Sequence, residues 1–88
     1  MIDNDDGTTV ILTGNLLLSE ISERKFPAID SYKSIKTVDL HKLDNIDSAG
    51  IAYLAQIKSN YSDLNYIGLS DKASVLAHLY GLGFIFKM

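Results

Sequence analysis

Asp39, Asp44 and Asp47 lie close together in the chain, with His41 between the first two and Ser48 directly after the third. Paired carboxylates can act as general acid and base, but only inside a cavity that sets their protonation states apart. A short chain without a second domain to close such a cavity uses acids of this kind as corner caps and solvated charges. His41 and His78 have no carboxylate or second histidine at metal-ligand spacing and read as surface residues. Ser48 stands outside a Gly-x-Ser-x-Gly setting, and Gly81-Leu82-Gly83 follows a helix rather than a strand, the wrong context for a dinucleotide turn. The chain contains no cysteine, which removes thiolate chemistry and sulfur-bound zinc. No catalytic residue, metal or cofactor is therefore assigned, and the expectation is a protein that is not an enzyme.

The informative chemistry lies in the run from Asp44 to Leu54, Asp-Asn-Ile-Asp-Ser-Ala-Gly-Ile-Ala-Tyr-Leu. Ser48 is placed to cap a helix by accepting an unpaired amide hydrogen of its first turn. A phosphate on Ser48 would meet the positive end of that helix. Ala49 and Gly50 are small enough to let another surface approach the backbone closely. At about 100° per residue, Gly50, Ile51, Leu54, Ala55, Ile57 and Tyr61 share one arc, with the Lys58 stem beside it. The opposite arc carries Ala49, Ala52, Tyr53, Gln56, Ser59 and Asn60, without a single charge. Solvated helix faces are rich in Glu, Lys and Arg, so this arc is suited to contact with a partner. Asp47, Ser48, Ala49, Gly50, Ala52, Tyr53 and Gln56 are the expected partner-binding residues.

The elements that must position this helix follow from periodicity. Thr8 to Thr13 is a strand bounded by Gly7 and Gly14, and its consecutive Val10-Ile11-Leu12 predicts burial on both faces. Asp3 to Asp6 form a ragged edge strand or a loose tail. Ser19 and Ser22 compete as caps for a helix over much of Glu23 to Tyr32, with Phe26, Ile29 and Tyr32 facing inward. Pro27 favours a late start or a kink there. Ile35 to Leu40 alternates as a strand, and Tyr66 to Leu69 is a short one. Ser70-Asp71 signals a helix over Asp71 to Tyr80 that buries Val75, Leu76 and Leu79 and stops at Gly81. Phe84-Ile85-Phe86 reads as a brief terminal strand. Alternating strands and helices predict an α/β fold with a largely parallel sheet.

With 88 residues the chain makes one domain, 1–88, and its 47% hydrophobic and 22% charged residues are those of a soluble globule. The net charge of −3 and scattered Lys and Arg give no basic stripe for nucleic acid. The acidic N-terminus differs from a secretory signal, and no apolar run approaches the length of a membrane span, so no direct membrane insertion is expected. The chain is expected in the cytoplasm.

A strand ending Val38-Asp39-Leu40, followed by Leu43-Asp44-Asn45-Ile46-Asp47-Ser48-Ala49-Gly50-Ile51-Ala52-Tyr53-Leu54, resembles the signature of the STAS domain, the fold of bacterial anti-sigma-factor antagonists. The similarity runs from Val10-Ile11-Leu12-Thr13-Gly14-Asn15-Leu16 to Phe86, and Ile46-Asp47-Ser48-Ala49-Gly50 is its most specific part. It implies a mixed, mostly parallel β-sheet packed by helices and a function in protein binding. Leu69-Ser70-Asp71-Lys72 and Leu79-Tyr80-Gly81-Leu82 look closer to the MlaB-like branch, small STAS subunits of a phospholipid-trafficking ABC transporter at the inner membrane. That branch implies docking on the cytoplasmic ATPase subunit, in a system that maintains outer-membrane lipid asymmetry. The other branch implies phosphorylation of Ser48 by an anti-sigma-factor kinase. Ala49, where antagonists often carry a second hydroxyl, departs from that pattern. Asn15-Leu16-Leu17-Leu18 also replaces a more acidic loop.

Overall fold

The structure is a computed structural model that describes residues 2–4 and 7–83. Among the described residues, four strands form one sheet in the order β1 (Ile2–Asn4), β2 (Thr9–Leu16), β3 (Thr37–Ile46) and β4 (Asn65–Ile67). β1 runs antiparallel to β2, whereas β2, β3 and β4 are parallel. The expected mixed, mostly parallel sheet of an α/β domain is present. Helices α1 (Leu18–Ser22), α2 (Ser48–Asn60) and α3 (Asp71–Leu79) lie in the connections and after β4. The strand order never reverses, so right-handed crossovers put the connecting helices on one face. There α2 touches both α1 and α3.

Burial follows that one-sided arrangement. Val10, Leu12, Leu16, Val38, Leu40 and Tyr66 are buried, while Thr9, Ile11, Thr13, Thr37 and Asp39 on the intervening positions are half-buried and Ile67 is exposed. The Val10-Ile11-Leu12 run is thus buried on one face only, contrary to the expectation for β2, because none of the described helices covers the other side. β1 supplies the edge strand expected near Asp3; the terminal strand expected at Phe84–Phe86 lies outside the described residues.

β3 is longer than the Ile35–Leu40 strand expected. Ile11 pairs with Asp39 but Thr13 with Lys42, and Gly14 with Leu43 but Asn15 with Asn45, so β3 carries one extra residue at each of two bulges. These bulges let the strand continue to Ile46 and deliver Asp47 beside the end of β2.

The single helix expected over Glu23 to Tyr32 is replaced by two pieces. α1 is over by Ser22, and a 3-10 turn occupies Ile29–Tyr32. Arg24 adopts a left-handed φ of 59°, with its N–H on the Ile21 carbonyl and that of Lys25 on the Glu20 carbonyl. This is the C-terminal lock of a helix, and it stops α1 before Pro27 could disrupt it. Phe26 and Tyr32 are buried nonetheless, so the apolar spacing there marks inward residues of a loop. Neither Ser19 nor Ser22 caps α1; its first residue is preceded by Leu17, which offers no side-chain cap.

α3 starts at Ser70, whose hydroxyl accepts from the Ala73 N–H, and ends before Gly81 at φ 70°. Its inward face is Ala73 and Ala77; Val75 and Leu79, expected in the core, are 60% and 76% exposed. Leu76 alone of the three packs partly against the core.

Candidate functional site

The corner between β3 and α2 is built around one carboxylate. Asp47, not Ser48, caps α2: its Oδ1 accepts the Gly50 N–H at 2.9 Å. Its Oδ2 accepts the Leu18 N–H at 3.0 Å. One aspartate therefore satisfies the first turns of two helices, including α1, which has no local cap. Ser48 is displaced to the first helical position, and its side chain is exposed.

Gly50 is buried, and the reason is internal. A Cβ there would overlap the Leu16 carbonyl oxygen and lie 2.7 Å from Ile46 Cγ1. The close approach expected of a partner at Gly50 is made instead by the end of β2, and this correction removes Gly50 from the contact surface.

Tyr53 requires the second correction. Placed on the outer arc by helical spacing, it is only 8% exposed. Its hydroxyl donates to the Pro27 carbonyl at 2.6 Å, so the 2.8 Å contact with Tyr32 is donated by the Tyr32 hydroxyl. The ring packs against Phe26 and edge-on to Tyr32. Burial, the largest cause, raises the hydroxyl's pKa to about 12 despite the hydrogen bond it accepts. The Pro27 segment, not a partner, claims this side of the helix.

What stays outside is a continuous arc of α2: Ser48, Ala52, Gln56, Ser59 and Asn60 are exposed, with Ala49 half-buried. No charge lies on it. Lys58, the helix's sole basic residue, turns away and donates to the Ser62 and Leu64 carbonyls beyond the helix C-terminus. The inner stripe matches the periodicity: Gly50, Ile51, Leu54, Ala55 and Ile57 are buried, and Tyr61 packs partly against the core.

Helical spacing gives no sign of three neighbouring features. Leu18, 60% exposed, stands where α1 meets Asp47. Val75 and Leu79 form an exposed i, i+4 pair on α3. A groove of about 400 Å³ opens beside α2, with buried Phe26 and Tyr53 as its floor, Ile21 and Ile29 as walls, and Arg24 and Gln56 at the rim.

The aspartates do not converge. Asp39 and Asp47 are separated by most of a strand, on the order of 20 Å at 3.3 Å per residue. Asp39 instead accepts both the backbone N–H of His41 at 2.9 Å and its Nδ1 at 2.8 Å. The pair sits at the first bulge of β3, and it gives His41 a carboxylate partner although none was expected at metal-ligand spacing. These bonds, the backbone one foremost, hold the Asp39 carboxyl below its usual pKa. Asp44 lines a small recess of about 70 Å³ with Leu43, Leu69 and Lys72. Among the described residues no three of His, Asp and Glu gather as a metal site, and no helix is long and apolar enough to cross a membrane. The chain matches no protein-family model, and no curated protein matches it.

Proposed function

We propose that this chain is a STAS domain of the MlaB-like branch, a non-catalytic subunit that docks on the cytoplasmic ATPase of a phospholipid-trafficking ABC transporter. It reaches the inner membrane only through that partner. The observation that carries the reading is the exposed arc of α2, from Ser48 through Ala52 and Gln56 to Asn60, which has no charge. A solvated face of this length normally carries Lys or Glu; a neutral face of small residues loses little on desolvation and allows close packing. Asp47 holds the corner from which the arc starts. The resemblance at Ile46 to Gly50 supplies the family, and the Leu69 to Leu82 segment supplies the branch.

Ala52 is exposed at the middle of the arc, so Ala52→Arg adds bulk and an unpaired charge to the contact without disturbing the core. Co-purification of the chain with the ATPase subunit is expected to be lost, while circular dichroism and the melting temperature stay unchanged. Retention of the ATPase by Ala52→Arg would overturn the assignment.

The exposure of Ser48 at the first position of α2 supports a second reading, an anti-sigma-factor antagonist switched by a kinase. Phosphate would add about −1.5 to −2 charges at pH 7 to a neutral contact face. Intact mass of the chain from its native cell, set against Ser48→Ala, separates the two. A phosphoform selects the kinase reading, and its absence in all growth conditions selects the transporter.

A further inference from the structure

The groove between α1, the Pro27 segment and α2 joins an aromatic floor to a cation that has no ion-pair partner among the described residues. Glu20 and Glu23, the two carboxylates that precede Arg24 on this segment, both pair with Lys25 at 3.3 Å. Arg24, which follows Glu23 directly, has no carboxylate within 4 Å among the described residues. Its backbone is also held in the left-handed region at φ 59°, at a position where glycine would be the easier residue. The chain thus carries an exposed guanidinium at a strained site, on the rim of a groove floored by Phe26 and Tyr53. Gln56 completes the rim and belongs also to the neutral arc of α2.

We propose that this groove receives one anchor of the docking partner: a large apolar side chain, flanked in the partner's sequence by an Asp or Glu that Arg24 binds. The apolar side chain fills space that Phe26, Tyr53, Ile21 and Ile29 line but do not occupy. The guanidinium offers two parallel N–H donors to the flanking carboxylate. The reading rests on α2 meeting a protein, and it adds a charge-matched subsite to a face that is otherwise neutral.

The test uses the full chain labelled with nitrogen-15 and the dipeptide acetyl-Leu-Glu-amide, with acetyl-Leu-Gln-amide as its uncharged match. Saturable amide shifts are expected at Arg24, Phe26, Ile29, Tyr53 and Gln56, with a dissociation constant on the order of millimolar for ligands this small. The Gln dipeptide is expected to bind about fivefold more weakly, the scale of an exposed ion pair. Arg24→Gly is expected to abolish that preference while melting higher, because it relieves the left-handed backbone; lost preference then cannot be ascribed to unfolding. Absence of saturable shifts at the groove, equal binding of the two dipeptides, or a preference that survives Arg24→Gly would overturn the proposal. None of these readouts involves the ATPase. Failure of the dipeptides with ATPase capture intact removes only the groove, and failure of the Ala52→Arg test with the preference intact removes only the transporter assignment.

Discussion

Asp47 has more structural work than its place in the sequence announces. Its two oxygens hold the Gly50 and Leu18 N–H groups, one from each helix that meets at the corner. Both donors belong to first turns and have no partner within their own helices. Asp47→Ala is expected to cost about 2 kcal/mol, one lost cap plus one lost charge-assisted bond. Asp47→Asn keeps a single acceptor oxygen and is expected to lose about half as much. Urea unfolding of both variants checks the ratio, and an unchanged midpoint for Asp47→Asn would show that only one of the two bonds matters. The sequence points to Ser48 as the cap, and Asp47 takes that place because Asp and Ser are both good caps and stand side by side. The bond to Leu18, 29 residues away in the chain, decides between them.

At the scale of elements, α2 is fixed by how closely it meets the end of β2. Gly50 faces the Leu16 carbonyl oxygen and the Ile46 side chain with no room for a methyl group. Gly50→Ala gains up to about 1 kcal/mol of helix propensity. Against this stands an overpacking cost of about 1–3 kcal/mol, with a backbone atom that cannot rotate away. A net loss of stability is therefore expected, in contrast to most Gly→Ala changes inside helices, and thermal melting gives the sign. The same element shows what periodicity can and cannot say. A 3.6-residue repeat places Tyr53 and Gln56 together on the outer arc, and it is right about Gln56. Tyr53 lies at the edge of that arc, and its side chain is long enough to reach across to Pro27 and Tyr32.

Across the whole molecule, tyrosines tie the layers together. Tyr32 from the 3-10 turn joins Tyr53 of α2, and Tyr66 of β4 donates to the Leu54 carbonyl of α2 at 2.8 Å. Burial, as the largest cause, raises the pKa of all three phenols in the folded state. Below pH 10 they are neutral whether folded or not, and their contribution to stability is complete. As pH rises above 10, the unfolded chain releases these protons while the folded one holds them, with Tyr53 beginning to yield near 12. Stability is expected to fall in that window by up to about 1.4 kcal/mol per pH unit for each tyrosine. Urea midpoints measured from pH 9 to 12 should show the decline, and Tyr66→Phe should make it shallower by one residue's share.

Local chemistry in the sequence sufficed for the alternation of strands and helices, for the inner stripe of α2, and for the Ser70 cap and Gly81 stop of α3. Each of these depends on residues within one or two turns of each other, where spacing alone determines which side chains share a face. The segment from Ser19 to Tyr32 was illegible in the same terms. Its apolar spacing is helical, yet the backbone breaks at Arg24, and the inward residues are held by α2 rather than by a helix of their own. Tertiary packing likewise decided that Val75 and Leu79 stay outside, because α3 turns its alanines toward the core. It also decided that Gly50 and Tyr53 are used within the fold while Ser48, Ala52 and Gln56 remain available. Spacing along one helix gives its sides, but only the neighbouring elements determine which side meets protein and which meets water.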